Sequence, residues 1–326
     1  MYKFHPILKS VLWGGNRLAS FKRLDTNQNF IGESWEISGI YGYESIVACG
    51  KDAGHTLPQL IAKYRDALVG EDVYSHYGNE FPLLVKLIDA AKDLSVQVHP
   101  DDEIASLRHG CMGKTEMWYV IDSQPGALIH AGFNSEISPE QYESMVKDGT
   151  IMHAVKSYES HSGDIFFLPP GTIHSIGAGN LIAEIQQSSD ITYRIYDYDR
   201  RDAMGNKRPL HTDLARAAIN FEDISSRAVD YDRGDKSKPS TIVSCPQFMV
   251  NKITVQGTMQ WDVNDVHSFV IIMCIDGEAV ITDDSALTSE DDCKMTLKRG
   301  DTILVPACAS HISIYGSATL ITAHIP

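Results

Sequence analysis

Short apolar or alternating runs recur along this chain, and most are closed by glycine, proline or aspartate. SWEISGI (34–40), SIVACG (45–50), PLLVKLIDA (82–90), LSVQVH (94–99), EMWYVID (116–122), GALIHAG (126–132), DIFFLPP (164–170) and LIAEIQQ (181–187) all read as β-strands. Helices are marked by their caps. Thr56-Leu57-Pro58-Gln59 is a capping box, with Gly70 as the expected stop. Ser138-Pro139-Glu140-Gln141 is a second one, with Ile137 and Tyr142 spaced for a hydrophobic staple and Gly149 beyond its end. Shorter helices are expected from Asp101 or Asp102 to Gly110 and from Asp213 to Ala218. The helices do not alternate regularly with the strands, so they read as insertions into a β fold, not as partners in βαβ units.

From Ile224 to Ser240 the chain is polar, charged and without apolar period, which marks a linker. The expected division is a domain over 1–223, the linker over 224–240 and a second domain over 241–326. The second is a degenerate copy of the first. Gly163-Asp164 followed by Leu168-Pro169 returns as Gly300-Asp301 followed by Val305-Pro306, and His174 and His311 each fall eleven residues after their glycine. In both halves a tight Gly-Asp turn feeds an apolar strand that a proline ends. Two cupin-type jelly rolls, mainly β with a few inserted helices, account for this pattern. Val270 stands in the second unit where Glu116 stands in the first, and no Gln-x-His precedes it, so His311 is expected to be a structural histidine.

The residues that carry chemistry therefore lie in the first half. Alternation in LSVQVH puts Gln97 and His99 on the strand face opposite Val96 and Val98. Taken alone, such a pair is more often an ordinary half-buried couple. Joined by Glu116 and His174, it becomes a nitrogen and oxygen donor set suited to a borderline divalent metal such as zinc. A sulfur-rich site is excluded, because no cysteine lies in register nearby. Lys114 shares a face with Glu116, and Lys86 is a charge within an apolar run. Asp190, Thr192 and Arg194 alternate onto one face, where Asp190 and Arg194 are either an acid and base of the site or a structural ion pair.

Composition narrows the class. The chain has 326 residues, 43% of them hydrophobic, and no apolar run approaches the ~18 residues that span a membrane. Its start lacks the apolar core and cleavage site of a signal peptide. Six scattered cysteines (Cys49, Cys111, Cys245, Cys274, Cys293 and Cys308) fit free thiols in a reducing cytoplasm. With 28 Lys and Arg against 43 Asp and Glu, the net charge of −15 argues against nucleic-acid and anionic-membrane partners. An anionic substrate must then be held by a local basic cluster. Arg200-Arg201 and Lys207-Arg208 are the candidates, since no glycine-rich phosphate loop is present. Trp13 and Trp35 are either pocket walls or core.

The ordered set WGG, GESWEIS, FPLLVKLIDA, LSVQVHPDD, GKTEMWYVID, LPPGTIHSIGAG and EIQQSSDITYRIYDYDR resembles the mannose-6-phosphate isomerase family, in its short bacterial form. The match is dense from about Trp13 to about His211 and looser beyond. The resemblance implies an aldose–ketose isomerase acting on a phosphorylated hexose. It also implies one zinc held by Gln97, His99, Glu116 and His174, with Asp190, Arg194, Lys86 and Lys114 around the reacting centre. The large helical insert of many relatives does not fit in this length. The group that moves the proton stays open among Lys86, Lys114, Asp190, His99 and a bound water. Two other functions compete on the same scaffold: an iron-dependent oxygenase, and a sugar-binding protein without turnover. A monomer is compatible with two barrels packed on each other.

Overall fold

The protein is described by a computed structural model covering residues 1–202, 204–231, 239–285 and 294–326. Its strands form two jelly-roll barrels, as the repeat predicts. Two sheets build the first. One runs in the order Ile165–Leu168, Glu116–Ser123, Asn180–Gln187, Leu83–Ala90, Ile7–Gly15 and Ile31–Ile37. The other runs Tyr193–Tyr196, Val96–Val98, His174–Ile176, Leu128–Phe133 and Val155–Glu159. The second barrel is one curled sheet, Ser240–Cys245, Phe248–Asp262, His311–His324, Val270–Asp283 and Thr302–Val305, with Lys294–Lys298 on a side branch.

Alternation decides what each face of the first sheet does. Leu83, Val85 and Leu87 of one strand and Met117 and Tyr119 of its neighbour face outward into a core shared with Phe248, Phe269, Ile271 and Met273 of the second barrel. Lys86 and Glu116 lie on the opposite face, towards the first barrel's interior, together with Ile88 and Trp118 of its lining core. This double burial explains why PLLVKLIDA reads as a continuous apolar run: all eight residues of Leu83–Ala90 are buried.

The N-terminal strand crosses between the halves. Tyr2–His5 pairs with Thr302–Val305 and with Ile46–Val47, so it extends the second barrel's sheet although it opens the chain. Nothing local in YKFH specifies that partner. Lys22 ties the halves a second time: its buried ammonium donates to both Glu36 oxygens at 2.7 Å and to the Gly300 carbonyl at 2.6 Å.

Both capping boxes form, over Leu57–Tyr64 and Pro139–Lys147, and the other two expected helices span Asp102–His109 and Thr212–Ala218. The first ends earlier than Gly70. Arg65 turns to φ 49°, a short Asp66–Val69 turn of helix follows, and Gly70 at φ 97° opens another helix, Glu71–Tyr77. SIVACG yields only the two-residue strand Ile46–Val47. Of the expected linker, residues 232–238 lie outside the described residues. Residues 227–229 run along the Ile165–Leu168 strand, where Phe167 donates to the Arg227 carbonyl and Val229 to that of Ile165. Cys293 also lies outside the described residues. His311 corrects the sequence reading: it is exposed, with Asp262 3.9 Å away, because it is turned to the outer side of its strand while the adjacent Ile312 fills the barrel core.

The shared core should make the two barrels unfold as one cooperative unit. Phe269 packs against Phe81 with ring centroids 4.6 Å apart and the planes tilted by 39°, one ring from each half. Phe269→Ala should cost about 3–5 kcal/mol, and scanning calorimetry should show a single transition moving down in temperature. Two separated transitions, one of them unmoved, would refute this coupling.

Candidate active site and metal centre

The mouth of the first barrel gathers side chains from both of its sheets. Gln97 pairs across the small sheet with His174 on one side and Arg194 on the other, so these three stand in one lateral row. His99 follows two residues after Gln97. Glu116 enters from the first residue of its strand in the facing sheet. The result is compact: His174 Nε2 lies 3.2 Å from Glu116 Oε1, His99 Nε2 3.5 Å from Glu116 Oε2, and the Gln97 amide 3.3 and 3.5 Å from the two imidazole nitrogens. One ligand atom each from His99, Glu116 and His174 falls within 4.8 Å of the others.

The orientation of the rings is set from behind. His99 Nδ1 donates to the Ile191 carbonyl at 2.8 Å and His174 Nδ1 to the Thr172 carbonyl at 2.9 Å. With the proton on Nδ1, each Nε2 presents its lone pair to the centre. Burial, with the Lys114 charge adding to it, pushes His99 well below the ordinary histidine range, and burial takes His174 down to about 4, so both stay neutral. Neither oxygen of the fully buried Glu116 has a hydrogen-bond partner. Two imidazole lone pairs and a carboxylate without a hydrogen bond thus converge in the buried interior. That is an arrangement which a divalent cation satisfies and an apolar core does not. Gln97, His99, Glu116 and His174 can hold such an ion.

Beside this centre opens a polar cavity of about 350 Å³. Its floor is a second lateral row, Trp118, Glu184 and Lys86, neighbours across three strands, with Trp35 next in the row beneath it. Lys86 Nζ meets Glu184 Oε2 at 3.0 Å, and Trp118 Nε1 donates to Glu184 Oε1 at 2.9 Å. Burial works against the charge of Lys86, but Glu184, Glu33 and Asp190 outweigh it and hold the ammonium above the usual lysine range. Burial likewise opposes the Glu184 charge, which Lys86 and Lys114 overcome, leaving that carboxyl at about 2. Lys114 sits 3.4 Å from Glu116 Oε2, the cation beside the carboxylate that the i, i+2 spacing predicts.

Lys86, Gln97, Lys114, Asp190, Thr192 and Arg194 all line the cavity. Asp190 and Arg194 form no ion pair with each other among the described residues, so the structural alternative for them falls away. Arg194 Nε instead donates to Ser95 Oγ at 3.2 Å and Nη1 to the Pro209 carbonyl at 3.1 Å. Trp13 lines the cavity, whereas Trp35 is buried below it, donating to Glu33 Oε2 at 2.6 Å. Of the four basic candidates for an anion, Arg208 alone reaches the cavity. Arg200 is held by Asp197, Lys207 pairs with Asp199, and Arg201 caps the Gly205 carbonyl. Sequence reasoning passed over Glu184, Glu33, Trp118 and His211. A signal existed for Glu184: a lone carboxylate inside the buried run LIAEIQQ needs a cation, and Lys86 sits in the same predicament in PLLVKLIDA.

Comparison with known proteins agrees with this architecture. A family described as phosphomannose isomerase type I, catalytic domain, matches residues 1–163, and one described as mannose-6-phosphate isomerase, cupin domain, matches residues 238–325. The mannose-6-phosphate isomerase ManA of Bacillus subtilis is 35% identical over 99% of this chain and 98% of its own length. That of Streptococcus mutans is 34% identical over 96% and 94%. A crystal structure of the Bacillus subtilis mannose 6-phosphate isomerase superposes with a TM-score of 0.88 at 32% identity, covering 99% of both chains.

Burial raises the Glu116 carboxyl to about 8 against the opposing charge of Lys114. A proton held there in the metal-free protein would be expelled by an incoming divalent cation. Calorimetric titration with zinc in buffers of different ionisation heat should show proton release on binding near neutral pH that diminishes as the pH rises. A heat independent of buffer would contradict it.

Proposed function

Because the chain belongs to the mannose-6-phosphate isomerase family and is an aldose–ketose isomerase, we propose that it interconverts mannose 6-phosphate and fructose 6-phosphate through an enediol(ate). The observation that carries this reading is the meeting of the His99, Glu116 and His174 cluster with a cavity that also exposes Asp190, Arg194 and the Lys86–Glu184 pair.

We take the ion to be zinc, held by Gln97, His99, Glu116 and His174, where it supplies Lewis acidity towards the sugar's carbonyl and hydroxyl oxygens. The rest is work for the protein's own groups. The aldose loses the proton on C2, the electron pair shifts to make the C1–C2 double bond, and negative charge grows on O1. Arg194, whose described partners are all neutral, turns its guanidinium to those oxygens. Asp190 has a carboxylate without an ion-pair partner among the described residues, which suits it to accept the C2 proton. Lys86 is kept protonated by Glu184 and suits the delivery of a proton to C1; the O2 hydroxyl proton passes to O1 as O2 becomes the new carbonyl, and the proton taken up by Asp190 returns to Lys86. Lys114 balances the charge of Glu116 at the ion.

Free thiols at Cys49, Cys111, Cys245, Cys274 and Cys308 support a reducing, cytoplasmic setting. Coverage of the catalytic sheet by the second barrel supports a monomer, since that apolar face needs no other subunit.

A coupled assay should register fructose 6-phosphate formed from mannose 6-phosphate. Chelation should abolish it, and zinc should restore it. Arg194→Ala should lower kcat by about 10²–10³, and Asp190→Asn by about 10²–10⁴, with the fold intact by circular dichroism. Bound iron with oxygen consumption and no isomerisation would replace this reading by an oxygenase, and an inert wild-type protein would reduce it to sugar binding.

A further inference from the structure

We propose that Gln186 is a positioning residue of the active site: its buried carboxamide holds the turn that aims Asp190 into the cavity and the Ile191 carbonyl at His99. The inference rests on the isomerase reading and adds a side chain outside the cavity's lining that orients two groups of the site.

Residues 188–192 join the strand Asn180–Gln187 of one sheet to Tyr193–Tyr196 of the facing sheet. This short crossing carries Asp190 and Thr192, which line the cavity, and Ile191, whose carbonyl accepts from His99 Nδ1 at 2.8 Å. Its conformation therefore fixes both an acid of the cavity and the tautomer of a ring at the metal centre. Gln186 sits at the root of the crossing. It stands opposite Glu116 on one neighbouring strand and Leu84 on the other, so its side chain points into the first barrel, where it is fully buried. Nε2 donates to the Gln187 carbonyl at 2.8 Å and to the Ser189 carbonyl at 2.7 Å. Ser189 N closes the same turn on the Gln187 carbonyl at 2.7 Å, and Ser188 N is fastened to the Pro82 carbonyl at 2.8 Å. Both hydrogens of one amide thus go to the backbone oxygens that flank Ser188, immediately before Asp190. Oε1, by contrast, has no hydrogen-bond partner. A side chain placed here only to fill space would serve better as an aliphatic one, since a buried amide oxygen without a donor costs stability. The two donors are what an aliphatic residue cannot supply, and they go to the turn.

Gln186→Met keeps the length and removes both donors. Gln186→Asn keeps the amide but falls one methylene short of Ser189, and replaces the first variant if that one does not fold. In either, zinc affinity measured by competition with a chromogenic chelator should fall by about 10-fold or more. At saturating zinc, kcat should drop by about 10–100-fold, with KM for mannose 6-phosphate changed far less. Added to Asp190→Asn, the same substitution should lower kcat by less than about threefold further, because the two residues act through one group. Wild-type zinc affinity and kcat in a folded variant would overturn the proposal. So would an equal loss of kcat with and without the Asp190 carboxylate, which is what a merely structural role gives. A wild-type protein without turnover would instead defeat the isomerase reading, and the zinc affinities of the variants would still decide the role of Gln186.

Discussion

Glu116 buries both carboxylate oxygens without a hydrogen bond, opposite two imidazole lone pairs and with the Lys114 ammonium 3.4 Å from one of them. Buried acceptors in such a group are costly unless a cation is shared among them. Much of the first barrel can be read as the means of sustaining that arrangement. Two backbone carbonyls fix the rings, Lys114 offsets part of the carboxylate charge, and Trp118 packs edge-on against His174 at 5.4 Å while holding Glu184. The ligands come from two different sheets, so the centre exists only when the barrel is closed.

The second barrel follows from the other face of the same strands. Alternation that turns Lys86 and Glu116 inward turns Leu83, Val85, Leu87 and Met117 outward, and that apolar face needs cover. The degenerate copy supplies it. Its lateral row corresponding to Trp118, Glu184 and Lys86 is Ile272, Thr322 and Asn251, and Val270 pairs with Val305 as Glu116 pairs with Leu168. The register has been kept while the charges have gone. With no carboxylate to serve, the interior fills with Ile253, Ile272, Leu320 and their neighbours, and the barrel becomes packing for the first.

Across the cavity, charge is arranged by how deeply each group is buried. The deep cations Lys86 and Lys114 are matched one to one with carboxylates, because an unpaired charge there would be prohibitive. Towards solvent the balance loosens, and Arg194 can stand beside neutral oxygens. A polar cavity graded in this way presents fixed dipoles and charges to a substrate before it binds, which is where such a site gains its catalytic effect.

Local sequence determined a good deal. Alternation in LSVQVH assigned Gln97 and His99 to one face, the cap residues placed three helices, and the Gly-Asp to Pro repeat identified two barrels and the partnerless position of Val270. These features act over a few residues, so period and spacing reveal them. What the tertiary structure alone decided involves partners far apart in the chain: the pairing of Lys86 with Glu184, the delivery of Arg208 and His211 to the cavity, the passage of Tyr2–His5 into the second barrel's sheet, and the exposure of His311. A strand's pattern states which side chains share a face but not which strand lies beside it, and register between distant strands is set only when the whole sheet closes.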